Sequence, residues 1–351
     1  MRIKAGCEDI YSIFAEYMIL VTGGTGLLGA QLLFDLTKAG KKVRALKRST
    51  SNVHTVNLIF KDHPKLQQQI EWMEGDITDT FSVDESLKDI EEVYHCAAMV
   101  SFQPGIFNQI MKVNAEGTAN MVNYSLAHGV KKFCHVSSVA ALGRTEEKNI
   151  VDENIFWKTS TKNSVYAISK YAAEREVWRG IEEGLNAVIV CPTIILGQGD
   201  WKSGSSQIFS QINKGLKFYT KGVSGFVDAA DVTHCMISLM DKNIFGQRFI
   251  VSGENICWKD FLTDVANSIG KKPPSIYATK MLSEFAWRAD ALKRMLTGYK
   301  SLITKETARQ GHLQSFYSNE KIKKALNFDF GPIKTAIEKT ARLFLEQQVH
   351  S

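Results

Sequence analysis

This 351-residue chain lacks the cysteine pattern of a disulfide framework or a zinc site. Its six cysteines (Cys7, Cys96, Cys134, Cys191, Cys235 and Cys257) form no C-x-x-C and no Cys/His cluster. Several lie in apolar runs such as 186–192, as buried reduced thiols of a cytoplasmic protein do. No run reaches about 18 uninterrupted apolar residues, so no membrane span is read. Glu8, Asp9 and Glu16 interrupt the N-terminal stretch where a secretory signal needs an apolar core. There is no block of like charge either. Lys and Arg total 43 against 37 Asp and Glu, and the net +6 is scattered along the chain, which gives no argument for nucleic acid. Internal repeats and low-complexity segments are absent too. With 44% hydrophobic and 23% charged residues, disordered, collagen-like and coiled-coil classes drop out, and a sizeable core can form. The length predicts one large domain with an appendage, or two domains.

What is present is alternation. Short apolar runs at 18–21, 42–46, 70–73, 93–97, 132–136 and 187–191 read as strands, and residues 27–39, 106–128 and 165–183 carry helical patterns between them. Strand–helix alternation implies an α/β fold, a doubly wound parallel sheet with helices on both faces. The continuous run Val188-Ile189-Val190 fits a strand buried on both sides. After Pro192 the rhythm breaks into a glycine-rich loop at 197–204. One more strand is read at 248–252, and helical patterns dominate from Trp258 onward. Residues 1–17 read as an extension, with Met18 the expected initiator.

Between the first strand and first helix stands Gly23-Gly24-Thr25-Gly26-Leu27-Leu28-Gly29. Glycines here permit a tight turn, close approach to a pyrophosphate and close helix–strand packing, while the helix amides face the anion. A dinucleotide is expected. The second strand ends without the carboxylate that would hold a ribose 2′-hydroxyl. Arg44, Lys47 and Arg48 occur there instead, so NADP(H) is favoured, with NAD(H) possible.

Tyr166 and Lys170 are four residues apart in a helical pattern and so share a face. A neighbouring cation lowers a phenol's pKa, suiting Tyr166 to exchange a proton with a substrate oxygen. Ser137-Ser138 closes a predicted strand, where ligands bind in open parallel sheets. No metal-ligating set is read.

The glycine turn, the Ser-Ser strand end and the Tyr166/Lys170 pair together resemble the extended short-chain dehydrogenase/reductase family. The closest subgroup is the dihydroflavonol reductase-like and 3β-hydroxysteroid dehydrogenase-like proteins. Stretches 95–98, 113–118, 192–197, 226–232 and 317–326 add to the likeness, which runs from Met18 to about Leu345. The resemblance implies a Rossmann-type NADP-binding domain at 18–195 and a substrate loop region at 196–227. It then implies a return to the sheet at 228–253 and a smaller, mainly helical substrate-binding cap at 254–351. Gly23, Gly26 and Gly29, with Leu27 and Leu28 between them, would wrap the pyrophosphate. Arg44 would meet the 2′-phosphate, Asp76 and Ile77 would flank the adenine, and Ala97 and Ala98 would line the ribose. By its spacing to Gly143, Ser138 matches the catalytic serine. Tyr166 would be the proton donor, and Lys170 would bind the nicotinamide ribose and tune the phenol. Pro192 and Thr193 would sit by the nicotinamide, and Asn114 would be structural before catalytic. The amphipathic helices at 106–128 and 165–183 match those that form a homodimer interface in relatives.

Met99, Ser101, Phe102 and Trp201 lie in loops expected near the nicotinamide, and their character suits a hydrophobic or amphipathic small-molecule carbonyl. The other reading is that they pack loops onto the scaffold. Residues 281–296 form a basic, aromatic amphipathic pattern, read as a lid over the pocket before a membrane-surface helix. The expected activity is interconversion of a ketone or aldehyde with an alcohol. The alternatives are a nucleotide-sugar epimerase or dehydratase using NAD, and a non-catalytic NADP sensor.

Overall fold

Seven strands form the central sheet: β1 (Met18–Thr22), β2 (Lys42–Lys47), β3 (Ile70–Glu74), β4 (Ile90–His95), β5 (Lys132–Val136), β6 (Ala187–Pro192) and β7 (Gln247–Val251). They lie in the order β3-β2-β1-β4-β5-β6-β7, and every neighbouring pair is parallel. The computed structural model describes residues 17–143, 150–161, 163–297 and 304–349. The extension read at 1–17 lies outside these, apart from Tyr17.

Both faces of the sheet are covered, as the apolar runs require. Val188, Ile189 and Val190 are wholly buried. On one face α1 (Leu27–Lys38) contributes Leu32, Leu33 and Leu36 to a core shared with Met236 and Leu239. On the other face, α2 (Gly117–Ala127) and α3 (Val165–Glu182) supply Met121, Val122 and Val177. Helix α3 starts where it does because Ser164 caps it, accepting from the Ala167 amide at 2.8 Å. The chain leaves β1 towards β2 and β3, then crosses back to β4. The resulting crevice between β1 and β4, at the strands' carboxyl ends, is where doubly wound sheets take ligands.

Two expectations shift. The fourth strand ends at His95 rather than at 97, because Cys96 and Ala97 turn beneath β1 to reach Thr22 with their amides. The long helix at 106–128 is interrupted by a π turn at Lys112–Glu116, which widens one turn and aims Asn114 inward. Beyond Pro192 the chain builds a second, three-stranded sheet from Ile194–Leu196, Val223–Asp228 and Glu254–Cys257. Strands of three to six residues spaced so far apart leave little periodicity to read.

The remainder is largely helical, with α4 (Ala229–Asp241) on the sheet and α5 (Trp258–Ser268), α6 (Lys280–Thr297) and α7 (Ile333–Val349) further out. A separate apolar cluster joins Phe209, Phe226, Phe261 and Phe344. The tail is not segregated from the sheet. Phe316–Tyr317 pairs with Ile150–Val151, Asn319 donates to the Ser252 carbonyl at 2.7 Å, and Ile322 and Leu326 enter the first core.

One ion pair fixes the body from inside. Glu174 on α3 is 2% exposed and meets the Arg248 guanidinium of β7 at 3.0 Å. Arg248 also donates to the carbonyls of Glu153 and Ile155, and Ser137 and Trp178 donate to Glu174. Removing one partner of such a pair leaves a buried charge without its counterion. Arg248→Met is therefore expected to destabilise the fold by roughly 3–5 kcal/mol, read as a lower urea midpoint. A midpoint matching that of the parent chain would remove the pair from any supporting role.

Candidate active site

The glycine turn is built so that backbone occupies the space side chains would take. Gly23 has φ +70, a left-handed conformation, and a Cβ there would stand 2.7 Å from the Ala97 nitrogen. A Cβ on Gly29 would meet the Gly23 carbonyl oxygen at 2.2 Å. Gly29 therefore seats α1 closely on the turn. Gly26 caps α1 without a side chain, and no acidic residue lies in the first helical turn, so the N-terminal amides remain open to an anion. Leu27 and Leu28 follow directly, Leu28 buried and Leu27 half-buried. This cradle fits a dinucleotide's pyrophosphate.

A buried polar chain links that turn to the catalytic candidates. The Ala97 amide donates to Thr22 Oγ1 at 3.2 Å, and Thr22 Oγ1 lies 2.7 Å from His95 Nδ1. His95 Nε2 is 3.0 Å from Thr118 Oγ1, which in turn donates to the Asn114 carbonyl at 2.6 Å. Since Thr118 spends its proton on Asn114, His95 Nε2 must be the donor and Nδ1 the acceptor. Burial pushes the His95 pKa down to about 3, so the ring is neutral. Asn114 clamps the Met99 backbone, accepting from its nitrogen at 2.7 Å and donating to its oxygen at 3.0 Å. It donates also to Ser169 Oγ, which bonds the Tyr166 carbonyl at 2.8 Å. The structural role expected of Asn114 is visible in these contacts. Beside His95, His135 is wholly buried and stacked at 5.4 Å, and among the described residues neither of its nitrogens has a hydrogen-bond partner. Burial drives its pKa down as well.

Tyr166, Lys170 and Glu174 follow one another at single-turn spacing on α3. Burial raises the Tyr166 phenol above its ordinary pKa, and a hydrogen bond with Ser138 opposes that. Ser138 Oγ also accepts from the Ala140 amide. Ser137 turns the other way, donating to Glu174 at 2.8 Å. The Lys170 ammonium, one turn along the helix from Tyr166, donates to the Val136 carbonyl at 2.7 Å. Burial lowers the Lys170 pKa to about 8, opposed by Cys191, Glu174 and Cys96. Burial pushes the Cys96 and Cys191 thiols up, away from the thiolate form, while the Glu174 carboxylate is the one paired with Arg248. Phe102 sets its ring edge-on to Tyr166, with centroids 5.6 Å apart.

Other expected residues fall at the same end of the sheet. Ala97 and Ala98 follow β4 under the glycine turn. Pro192 ends β6, and Thr193 Oγ1 lies 3.3 Å from Ser252 Oγ. Asp76 spends one carboxylate oxygen on the Thr78 amide and hydroxyl, and Ile77 packs against Gly117 of α2. Ser101 Oγ accepts from the Gln103 amide.

Three placements differ from expectation. Arg44 sits three residues before the end of β2 and binds Glu71 at 2.6 Å and the carbonyls of Ser86 and Lys88. Those carbonyls precede β4, so the guanidinium is committed to the amino end of the sheet, away from the glycine turn. Lys47 and Arg48 occupy the strand end, and neither forms an ion pair among the described residues. Trp201 is only 9% exposed, packed edge-on against Phe344 at 5.1 Å and bonded through Nε1 to Gln347. It braces the loop against α7 rather than facing a ligand. Helix α6, read as a lid, has no buried residue. Among residues the sequence did not single out, Glu174 could have been found from its spacing to Lys170. His95 and His135 gave no such signal.

The sequence profile of the NAD dependent epimerase/dehydratase family matches residues 19–251. Sterol demethylase protein B of Methylococcus capsulatus is 29% identical over 280 residues, 78% of this chain and 82% of that protein. A putative dihydroflavonol 4-reductase of Synechocystis is 25% identical over 331 residues, 92% and 93% of the two chains. The crystal structure of gox2253 superposes with a TM-score of 0.78 at 28% identity, covering 94% of this chain and 98% of that one. A match across two thirds of the chain, on the fold and turn just described, assigns the protein to the NAD dependent epimerase/dehydratase family of extended short-chain dehydrogenases/reductases.

Proposed function

We propose that the protein is an NADP(H)-dependent oxidoreductase that interconverts a hydrophobic or amphipathic ketone or aldehyde with its alcohol. The observation that carries this reading is the Tyr166 phenol set beside Ser138 and edge-on to Phe102 at the carboxyl end of the sheet, one helical turn from Lys170. Gly23, Gly26 and the amides of Leu27 and Leu28 would hold the pyrophosphate, with Ala97, Ala98 and Pro192 along the groove. A bound nicotinamide supplies or accepts the hydride.

The chain's own residues handle the proton. In reduction Tyr166 donates its phenolic proton to the carbonyl oxygen, and Ser138 Oγ holds that oxygen in place. The phenolate that forms is stabilised by the Lys170 ammonium one turn away, which Glu174 keeps protonated. Phe102 and Met99 offer an apolar wall, which supports a hydrophobic substrate, as do relatives named for a sterol and a flavonoid. Lys47 and Arg48, exposed or half-exposed at the end of β2, are the cations proposed for a 2′-phosphate. A redox-neutral epimerase is the second reading, favoured by the family the chain belongs to. Net oxidation of NADPH with a ketone separates the two, and a cofactor sensor would show binding alone.

Calorimetric titration of the cofactor-stripped protein is expected to favour NADPH over NADH. Arg48→Ala should weaken NADPH by about 10–100-fold, the worth of a charge-assisted contact, and leave NADH nearly unchanged. Arg44→Ala should spare this discrimination. Equal losses for both cofactors in Arg48→Ala would sink the 2′-phosphate assignment. Tyr166→Phe should keep cofactor affinity and lose most turnover, at least about a hundredfold for general acid catalysis. The rate should also fall as pH rises through about 8, where Lys170 gives up its proton. Glu174→Gln removes the carboxylate that raises Lys170, so this descending limb should move to lower pH. A limb unmoved by Glu174→Gln would detach Lys170 from the profile.

A further inference from the structure

Helix α6 (Lys280–Thr297) is the longest element of the cap, yet it buries no side chain. Met281 is 70% exposed, Phe285 65%, Leu292 59% and Met295 83%, and at helical spacing these form one stripe. The opposite side of the helix faces the protein. Ser283 bonds His312 at 2.8 Å, and the Trp287 ring lies 5.9 Å from the Lys305 ammonium. Arg288 falls within the outward stripe, paired with Glu284.

The surface continues in front of the helix. Ile276–Tyr277 pairs with Phe218–Tyr219, and Phe218, Ile276 and Tyr277 are all exposed. The segments 214–221 and 271–283 that meet in this pairing contain Lys214, Lys217, Lys221, Lys271, Lys272 and Lys280 and no Asp or Glu. Each of these lysines is exposed, and none forms an ion pair among the described residues. Lys221 extends over the Tyr277 ring at 4.7 Å. Uncovered aliphatic and aromatic side chains thus adjoin a field of unneutralised ammonium groups.

We propose that this face docks on the surface of an anionic lipid bilayer. In this arrangement α6 lies in the plane of the interface with its apolar stripe at the acyl boundary, and the lysines meet lipid headgroups. The helix does not cross the membrane, since no described helix is long and apolar enough to do so. A second copy of this chain is a poorer occupant because two such lysine fields would repel. Nucleic acid would leave the methionine and leucine stripe without a partner. The docking is independent of the catalytic reading.

The test is flotation of the full chain with vesicles of phosphatidylcholine, alone and mixed with phosphatidylserine. The protein should float with the mixed vesicles only, and high salt should release it. Replacing Met281 and Phe285 together by glutamate should weaken flotation by about tenfold or more. Both positions are exposed, so the variant's melting curve should match the parent's. Phe156→Glu, at a position 85% exposed elsewhere, should float as the parent does. The proposal is overturned if the parent does not float with mixed vesicles, or if the double variant floats unchanged. It is also overturned if the double variant splits a dimer seen by sedimentation while the parent binds no vesicle.

Discussion

Keeping an ammonium inside the protein is the constraint around which this site is arranged. Lys170 is 2% exposed, and burial works against its charge, lowering its pKa to about 8. Three features hold the charge in place. The Val136 carbonyl at the end of β5 accepts from it, Glu174 one turn along α3 supplies the opposing charge, and the two nearest imidazoles are kept neutral by burial. Glu174 in turn cannot be buried unless Arg248 reaches across from β7, and Arg248 is oriented by carbonyls of residues 153 and 155. The charge state of one side chain is therefore tied to the far edge of the sheet.

A second chain of contacts sets position rather than charge. Thr22, His95, Thr118, Asn114 and Ser169 run from beneath the glycine turn to the Tyr166 backbone. Every member both gives and receives, so the chain is satisfied throughout, which makes such a network rigid. The π turn is what makes the route possible, since Asn114 sits within it and reaches the loop after β4 and α3 together.

Much of this was legible because it is local. The turn from Gly23 to Gly29 and the Tyr166–Lys170 spacing depend on residues within a few positions of each other, and the parallel sheet follows from the alternation. Long-range placement was not legible in the same way. Trp201 looked like a pocket residue until Phe344 and Gln347, more than 140 positions later, were found against it. Arg44 and Arg48 were equally basic on paper. Which end of the sheet each serves depends on where β2 stops and on Glu71 in the neighbouring strand. The periodicity of α6 was plain, but periodicity cannot say whether an apolar stripe meets protein or solvent.

The way the tail returns to the sheet bears on how the site can open. Residues 316–326 are stitched to the sheet body through strand pairing, Asn319 and two core side chains, while α7 beyond them packs against the cap. The C-terminal region is thus held to the sheet body through its middle. A hinge that swings it away as one rigid piece would have to tear out Ile322 and Leu326.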